Sequence, residues 1–274
     1  MATPIIMCGA AGRMGLTILR CAAEDPEFEI VGGVEAEGSA AVGRRVGDLI
    51  GRPEINAPIV GDFVGLAPPD NAVVVDFSLP EGLVPQIRWS AEQGLSSVIG
   101  TTGLGESERA EIERASREIP VVFAPNMSVG VNTLFKITAD VARILGESYD
   151  VEIAEMHHRY KKDAPSGTAR RLGEIAAEAM GGTYEELVRD GRSGITGERP
   201  ARQIGMHALR GGDVVGEHTV TFAALGERIE LTHRAQSRET FARGALRAAA
   251  WVAGREPGLY DMQDVLGIGR KERR

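Results

Sequence analysis

The segment Pro4-Ile5-Ile6-Met7-Cys8-Gly9-Ala10-Ala11-Gly12-Arg13-Met14-Gly15 decides the fold of this chain. It begins as an apolar run typical of a buried strand, passes through three glycines and continues into a helical pattern. Glycine lets the backbone approach a pyrophosphate closely, and the start of a helix offers free amides and the positive end of a dipole. The segment therefore predicts a dinucleotide site, although its spacing is GxxGxxG, not GxGxxG, and a turn that binds nothing has the same pattern. The candidate cofactor-binding residues here are Gly9, Ala10, Ala11, Gly12, Arg13 and Met14.

The next strand bears on which nicotinamide cofactor the chain takes. Residues 28–34 form an apolar run, and Glu35 follows where a carboxylate can accept hydrogen bonds from an adenosine ribose. The Glu35 carboxylate would repel the 2′-phosphate of NADPH, and the adjacent Ala36 offers no positive charge to compensate. Arg44 or Arg45 could supply that charge if either side chain reaches the phosphate. We therefore expect NADH and/or NADPH as the cofactor, with NADH favoured.

The first half of the chain alternates between strands and helices. Strands are predicted at 72–77, 97–100 and 121–124, and helices at 80–93 and 106–118. Residues 36–71, rich in glycine, proline and aspartate, predict irregular structure, with 42–50 as a surface excursion. The alternation predicts a doubly wound, Rossmann-like dinucleotide-binding domain that binds ligands at the carboxyl ends of its strands. Residues at the carboxyl ends of two of these strands, and directly after them, complete the candidate cofactor site: Gly100, Thr101, Thr102, Ala124, Pro125, Asn126 and Met127.

The pattern changes near residue 131. The elements predicted next are a helix at 133–145, a strand at 149–156, a helix from Thr168, a loop at 181–202 and strands at 203–209, 214–222 and 228–233. Alternating apolar and polar residues in these strands indicate an α+β domain with an open mixed sheet, and an uncovered sheet face suggests a homo-oligomer. A helix capped by Ser237 and running to Gly254 follows. We predict a discontinuous dinucleotide-binding domain, 1–130 and 238–274, and an inserted substrate-binding and oligomerisation domain, 131–237.

The most reactive side chains are concentrated in one segment, 157–168. His157 and His158 suit proton transfer near neutrality, since the pKa of free histidine is about 6.5. Lys161 and its basic neighbours add positive charge, and the amides of 166–168 stand where a helix begins. The segment predicts a pocket that binds an anion and delivers a proton to it, although runs of charge often form no more than a solvated loop.

The run Glu155-Met-His157-His158-Arg159-x-Lys161-x-Asp163-Ala-Pro-Ser166-Gly167-Thr168 resembles the signature of the dihydrodipicolinate (4-hydroxy-tetrahydrodipicolinate) reductases. The resemblance extends from Gly9 to about Leu266. It implies NAD(P)H-dependent reduction of 4-hydroxy-tetrahydrodipicolinate (dihydrodipicolinate) to tetrahydrodipicolinate in lysine and diaminopimelate biosynthesis, by a homotetramer. The family often has arginine beside the ribose-binding acid and histidine after the arginine of the signature, where this chain has Ala36 and Tyr160.

The resemblance also implies individual roles. His157 and Lys161 are the expected catalytic residues for proton transfer, and a small cyclic dicarboxylate is the expected partner. The residues expected to bind this substrate are His158, Ser166, Gly167 and Thr168. The remaining histidines, His207, His218 and His233, are expected to be structural or interfacial.

Composition narrows the alternatives. A net charge of −8 argues against nucleic acid as a partner, and no apolar run is long enough for a membrane span. With two cysteines, no metal-ligand spacing and no apparent leader, we expect a cytoplasmic protein without a metal. A nicotinamide-sensing regulator without turnover stays open as the alternative. An acyl-transferring dehydrogenase would need a cysteine near the nicotinamide, and Cys8 and Cys21 lie in the first strand and helix.

Overall fold

A computed structural model describes residues 2–268, and the chain divides into two compact units. The first unit comprises Met1–Val129 with Arg238–Arg274, and the second comprises Gly130–Ser237. The strands are β1 (Thr3–Cys8), β2 (Phe28–Val34), β3 (Ile59–Val60), β4 (Val73–Asp76), β5 (Ser96–Ile99), β6 (Pro120–Phe123), β7 (Asp150–His157), β8 (Val188–Asp190), β9 (Ile204–Arg210), β10 (Gly216–Ala224), β11 (Glu227–Ala235) and β12 (Gly258–Tyr260). The helices are α1 (Arg13–Ala23), α2 (Val46–Ile50), α3 (Pro80–Gln93), α4 (Glu106–Ala115), α5 (Val129–Leu145), α6 (Gly167–Ala179), α7 (Tyr184–Leu187), α8 (Glu239–Val252) and α9 (Met262–Val265). Within residues 2–268, no helix combines the length and apolarity needed to cross a membrane.

The first unit is built on a seven-stranded parallel sheet. Its strand order is β12-β6-β5-β4-β1-β2-β3, so the order reverses beside β1. The central strands are fully buried, because the sheet has helices to cover both faces and each strand is a continuous apolar run. The predicted Rossmann-like fold is confirmed, and the reversal places the ligand edge at the carboxyl end of β1.

The segment before β4 is more ordered than we predicted. Strand β3 pairs with β2, and the surface excursion predicted at 42–50 contains α2, whose Val46 is fully buried. The cause lies in β2, since a Cβ on Gly33 would meet Ala10, Ile59 and Val46. Because Gly33 has no side chain, Val46 can pack against β2 in the core. The prediction of a surface segment is therefore wrong at Val46.

Two helix boundaries also differ from the predictions. Helix α4 ends at Ala115, not at 118, because the Ser116 hydroxyl donates to the Glu113 carbonyl oxygen at 2.8 Å and closes the last turn. Helix α8 is assigned from Glu239, two residues after the predicted start at Ser237. Arg238 is already helical, and its carbonyl oxygen accepts from the amides of Phe241 and Ala242.

The second unit contains a five-stranded mixed sheet. Its order is β11-β10-β7-β9-β8, with antiparallel pairs up to β7 and parallel pairs beyond it. Helices α5 and α6 supply apolar side chains to the core on one face. The open mixed sheet is confirmed, but the loop predicted at 181–202 also holds α7 and the edge strand β8. These elements of three or four residues are too short to show a periodicity.

Candidate active site

The turn between β1 and α1 has the geometry of a dinucleotide-binding loop. Gly9 has a φ of 77°, and a Cβ there would lie 2.9 Å from the Phe77 carbonyl oxygen, so only glycine fits. The Gly12 amide donates to the Gly9 carbonyl oxygen, and Leu16 donates back to Gly12. The first turn of α1 contains no acidic residue, and the amides from Arg13 to Gly15 stand at the positive end of the helix, where an anion binds.

A third glycine brings the helix against the loop. A Cβ on Gly15 would lie 2.0 Å from the Gly9 carbonyl oxygen. No side chain can be accommodated there without moving the backbone. The turn therefore keeps the close approach that a pyrophosphate needs, and its features fit a dinucleotide.

Glu35 is held at the same edge of the sheet. Its Oε1 accepts from the amide of Ala11 at 2.6 Å, and its own amide donates to Val60 at the end of β3. The carboxylate is half-buried, and Ala36 beside it is exposed. The missed strand β3 thus helps to fix the acidic residue that we expect to contact the ribose.

A buried aspartate links the next two loops. Asp76, at the end of β4, accepts through Oδ1 from the Ser78 amide at 2.9 Å, the Ser78 hydroxyl at 2.8 Å and the Thr101 hydroxyl at 2.5 Å. Burial raises the pKa of Asp76, although these bonds oppose the effect. Its Oδ2 is buried without a hydrogen-bond partner within residues 2–268. Nearby, the ring of Phe77 occupies the space above Gly100.

The predicted cofactor residues lie along one edge of the sheet but differ in what they can offer. The side chains of Ala10 and Met127 belong to the apolar core, which leaves their backbones to contact a ligand. Asn126 caps a turn by accepting from the Ser128 amide at 2.9 Å. Gly12, Arg13, Thr102 and Pro125 are exposed.

In the second unit, Glu155 is the centre of a polar cluster at the carboxyl end of β7. Its side chain is fully buried, and Arg210 donates to both carboxylate oxygens at 2.8 Å. The Ser166 amide donates to Oε1 at 3.0 Å, and His157 Nδ1 lies 2.6 Å from Oε2. Burial alone would raise the pKa of Glu155, but these donors outweigh it and the pKa is lowered.

His157 is held in one orientation by this carboxylate. Because ionised Glu155 can only accept, His157 Nδ1 carries the hydrogen and Nε2 presents a lone pair. Burial lowers the pKa of His157, and Glu155 only partly offsets it, so the ring is neutral at neutral pH. A Cβ on Gly216 of β10 would lie 3.0 Å from Nε2, and the glycine makes room for the ring.

His158 and Lys161 follow His157 in the segment 157–168. The Lys161 amide donates to the His158 carbonyl oxygen, and its ammonium lies 2.9 Å from Asp163 Oδ1. Burial would raise the pKa of Asp163, but the bond from Lys161, a backbone bond and the charges of Lys161 and Arg210 together outweigh burial, and the pKa is lowered. His158 is half-buried, and its Nδ1 has no partner among residues 2–268.

The start of α6 lies beside Glu155 in the polar cluster, since the Ser166 amide donates to this carboxylate. Ser166 is the N-cap residue, and its Oγ accepts from the Ala169 amide at 3.2 Å. The first turn of α6 contains no acidic residue, and the amides of Gly167 and Thr168 stand at its positive end. A Cβ on Gly167 would meet no described atom within 4 Å. A carboxylate has room and donors here.

Comparison with known proteins identifies the chain. Two family models match it, "Dihydrodipicolinate reductase, N-terminus" over residues 3–127 and "Dihydrodipicolinate reductase, C-terminus" over residues 130–266. The 4-hydroxy-tetrahydrodipicolinate reductase of Anaeromyxobacter dehalogenans strain 2CP-C is 51% identical over 266 residues, which cover 97% of this chain and 98% of that protein. This chain belongs to the dihydrodipicolinate reductase family. The family's protein from Geobacter sulfurreducens is 50% identical over 97% of this chain and 99% of its own.

Solved structures agree with the fold of a dihydrodipicolinate reductase. The dipicolinate-bound enzyme from Paenisporosarcina sp. TG-14 superposes with a TM-score of 0.73 at 21% identity, covering 96% of this chain and 99% of that one. GenD2 from gentamicin A biosynthesis, in complex with NAD, gives 0.60 at 13% identity and covers 97% and 91%. At these identities the likeness establishes the fold alone.

Three residues of the cluster could not be identified from the sequence. We had not assigned a role to Glu155 or Arg210, and we expected His218 to be structural or interfacial, whereas its Nε2 lies 3.1 Å from Ser166 Oγ. The pairing of His157 with Arg210 across β7 and β9 brings the arginine to Glu155, and a sequence gives no direct sign of strand register. His207 points to the opposite face of the sheet, where it bonds Glu152. Within residues 2–268, no group of three or more potential ligands could hold a metal ion.

Proposed function

We propose that this chain catalyses the NAD(P)H-dependent reduction of 4-hydroxy-tetrahydrodipicolinate to tetrahydrodipicolinate in lysine and diaminopimelate biosynthesis. Relatives of that name cover nearly the whole chain at about half identity. The observation that carries the proposal is the cluster in which Glu155 orients His157 beside Lys161 and the start of α6. A neutral imidazole, an ammonium and the positive end of a helix together suit an anionic substrate that must gain a proton.

The substrate is a cyclic dicarboxylate, and each carboxylate needs its own donors. The α6 amides of Gly167 and Thr168, with the Ser166 hydroxyl, hold one carboxylate at the positive end of the helix. His158, which is half-buried and whose Nδ1 lacks a partner among the described residues, contacts the other carboxylate. The relative solved with dipicolinate, itself a cyclic dicarboxylate, supports this class of ligand.

The reaction adds a hydride and a proton. When bound, the reduced nicotinamide supplies the hydride. The ammonium of Lys161 then gives a proton to the nitrogen or enamine that becomes electron-rich, and its charge stabilises the developing anion. His157 enters the cycle neutral, with the Nε2 lone pair ready to accept a proton and pass it on, while Glu155 stabilises the imidazolium that forms.

The cofactor is a nicotinamide dinucleotide, and we propose that NADH is preferred. The pyrophosphate lies on the amides at the start of α1, from Arg13 to Gly15, and Glu35 accepts from the adenosine ribose. A 2′-phosphate would meet the Glu35 carboxylate with no positive charge from Ala36. Arg45 is engaged elsewhere, since it forms an ion pair with Asp48 at 2.7 Å.

A cytoplasmic homotetramer assembled through the sheets of the second unit completes the proposal. The face of this sheet opposite the cluster carries the exposed Leu209 and the half-buried Met156, whose strand positions pair directly. Apolar side chains on an uncovered sheet face are typical of an interface between subunits. Cys8 and Cys21 are both free thiols, which suits a reducing compartment.

A coupled assay tests the activity. The preceding enzyme of the pathway generates the unstable substrate in place, and loss of nicotinamide absorbance reports turnover with NADH and with NADPH. We expect turnover with both and a higher kcat/KM with NADH. Tight nicotinamide binding without any turnover would refute the proposal in favour of a nicotinamide-sensing regulator, and a clear preference for NADPH would refute the role of Glu35 alone.

A further inference from the structure

Ser166 and His218 form a buried pair beside the start of α6. They are 2% and 4% exposed, and His218 Nε2 lies 3.1 Å from Ser166 Oγ. The same oxygen also accepts from the Ala169 amide as the helix cap. One hydroxyl oxygen thus has two nitrogen neighbours, and the placement of its single hydrogen depends on His218.

His218 is neutral in the folded protein. Burial, with a smaller contribution from His157, lowers its pKa to about 3. A neutral imidazole carries one hydrogen, on either Nδ1 or Nε2. Its Nδ1 is buried and has no hydrogen-bond partner among residues 2–268.

The two tautomers have different costs. With the hydrogen on Nδ1, a buried N–H would have no acceptor, and the Ser166 hydroxyl would be consumed by donating to Nε2. With the hydrogen on Nε2, the N–H donates to Ser166 Oγ and Nδ1 keeps an unused lone pair. Orphaned buried N–H groups are rarer in proteins than under-satisfied acceptors, so the hydrogen belongs on Nε2.

We propose that His218 is a positioning residue that makes Ser166 a hydrogen-bond donor to a carboxylate of the substrate. Ser166 Oγ accepts from both His218 and the Ala169 amide, so its own hydrogen must point away from both. On this proposal the hydrogen is offered to a ligand at the start of α6, where no described atom lies within 4 Å of a Cβ built on Gly167. A carboxylate accepts only, so it needs this donor. The inference rests on the proposed function.

Binding of dipicolinate to the full-length protein, measured by calorimetry in the presence of NADH, tests the role. We expect Ser166→Ala to raise the Kd about tenfold, because it removes a hydrogen bond to a charged group. His218→Phe, which keeps the ring but removes the donor, should raise the Kd about threefold to tenfold, and the double variant should bind no more weakly than Ser166→Ala. His218→Gln, whose amide can place an N–H near the position of Nε2, should restore most of the affinity.

Kinetics separate positioning from damage to the fold. His218→Phe should raise KM for the substrate while kcat stays within about twofold, since the phenyl ring can keep the edge-on contact that His218 makes with His157 at 5.2 Å between ring centroids. The matched control is His233→Phe, which alters the cross-strand neighbour of His218 and should leave Kd unchanged. NADH affinity reports whether the first unit is folded, and circular dichroism with urea unfolding reports whether the second unit, which carries the substitutions, is folded.

Each outcome bears on a different claim. If Ser166→Ala leaves dipicolinate binding unchanged, the proposed substrate site is wrong and the inference falls with it. If Ser166→Ala weakens binding but His218→Phe does not, only the inference is overturned. Should His218→Phe fail to fold, NMR of wild-type protein with isotope-labelled histidine still decides, because a hydrogen on Nδ1 of His218 refutes the proposal and one on Nε2 supports it.

Discussion

Replacing Glu155 with glutamine removes the negative charge at the centre of the cluster and preserves the size of the side chain. The carboxylate receives hydrogen bonds from His157, from the Ser166 amide and twice from Arg210. A glutamine has one acceptor oxygen and an NH2 group that can only donate. The variant must therefore lose the bonds of one whole oxygen and leave the guanidinium without its counter-ion.

The structure sets the size of the effect. Breaking a buried ion pair by removing one partner costs about 3–5 kcal/mol. The Arg210 side chain is 21% exposed and keeps bonds to two carbonyl oxygens, those of Asp163 and Leu209. We therefore expect the lower end, a loss of about 3 kcal/mol in free energy of unfolding. Turnover should fall more steeply, by about 10²-fold to 10⁴-fold, because an NH2 group facing His157 Nδ1 favours the wrong tautomer.

Glu155→Gln should also shift the pH profile of kcat/KM in a definite direction. Glu155 raises the pKa of His157 against the larger lowering by burial, so its neutralisation must lower that pKa further. The acidic limb of kcat/KM should then move to lower pH in Glu155→Gln. The matched control is Glu152→Gln on the same strand, whose carboxylate contacts His207 on the opposite face of the sheet. A Glu155→Gln enzyme within about threefold of wild type at every pH would refute the role given to Glu155.

Three further perturbations test other parts of the molecule. Gly15→Ala places a methyl group 2.0 Å from the Gly9 carbonyl oxygen. We expect the free energy of unfolding in urea to fall by at least about 2 kcal/mol and NADH to bind over tenfold more weakly in a fluorescence titration. Unchanged NADH binding would contradict the tight turn. Glu35→Gln keeps an acceptor for the Ala11 amide but removes the charge, so the NADPH-to-NADH ratio of kcat/KM should rise about fivefold in steady-state assays, and no rise would contradict the charge argument. The pKa of His218 is about 3 in the folded protein, below the roughly 6.5 of the unfolded chain. The stability that depends on neutral His218 is therefore fully present above pH ~6.5, and it falls by about 1.4 kcal/mol per pH unit as the pH drops toward ~3. Between pH ~6.5 and ~4.5 the free energy of unfolding in urea should therefore fall by about 2 kcal/mol less in His218→Gln than in wild type, and equal losses would contradict the depressed pKa.

Much of the first unit could be predicted from the sequence because its strands are buried on both faces. A strand such as β4 is a continuous apolar run, and glycine in β1–α1 has a backbone requirement that the sequence displays directly. Elements that exist only through tertiary contacts were missed. Strand β3 has two residues and depends on pairing with β2, and the burial of Val46 follows from the absent side chain of Gly33.

The same distinction applies to the cluster in the second unit. The segment from His157 to Thr168 is contiguous, so its chemistry could be predicted from the residues and from the family resemblance. Arg210 and His218 come from other strands, and the register of β9 and β10 against β7 brings them to Glu155. Register is set by packing across the whole sheet, and the polar residues it brings together are not visible in any short stretch of sequence.

The claim that His157 and Lys161 move the proton is tested most directly by turnover in two variants whose ligand binding is checked in parallel. His157→Gln and Lys161→Ala would be assayed with NADH and the substrate generated in place, with dipicolinate and NADH affinities measured on the same preparations. We predict that kcat falls by about a hundredfold or more in each variant, the range of general acid–base groups, while NADH affinity stays within about twofold of wild type. Turnover within about tenfold of wild type in both variants would contradict the account, because the proton would then come from elsewhere.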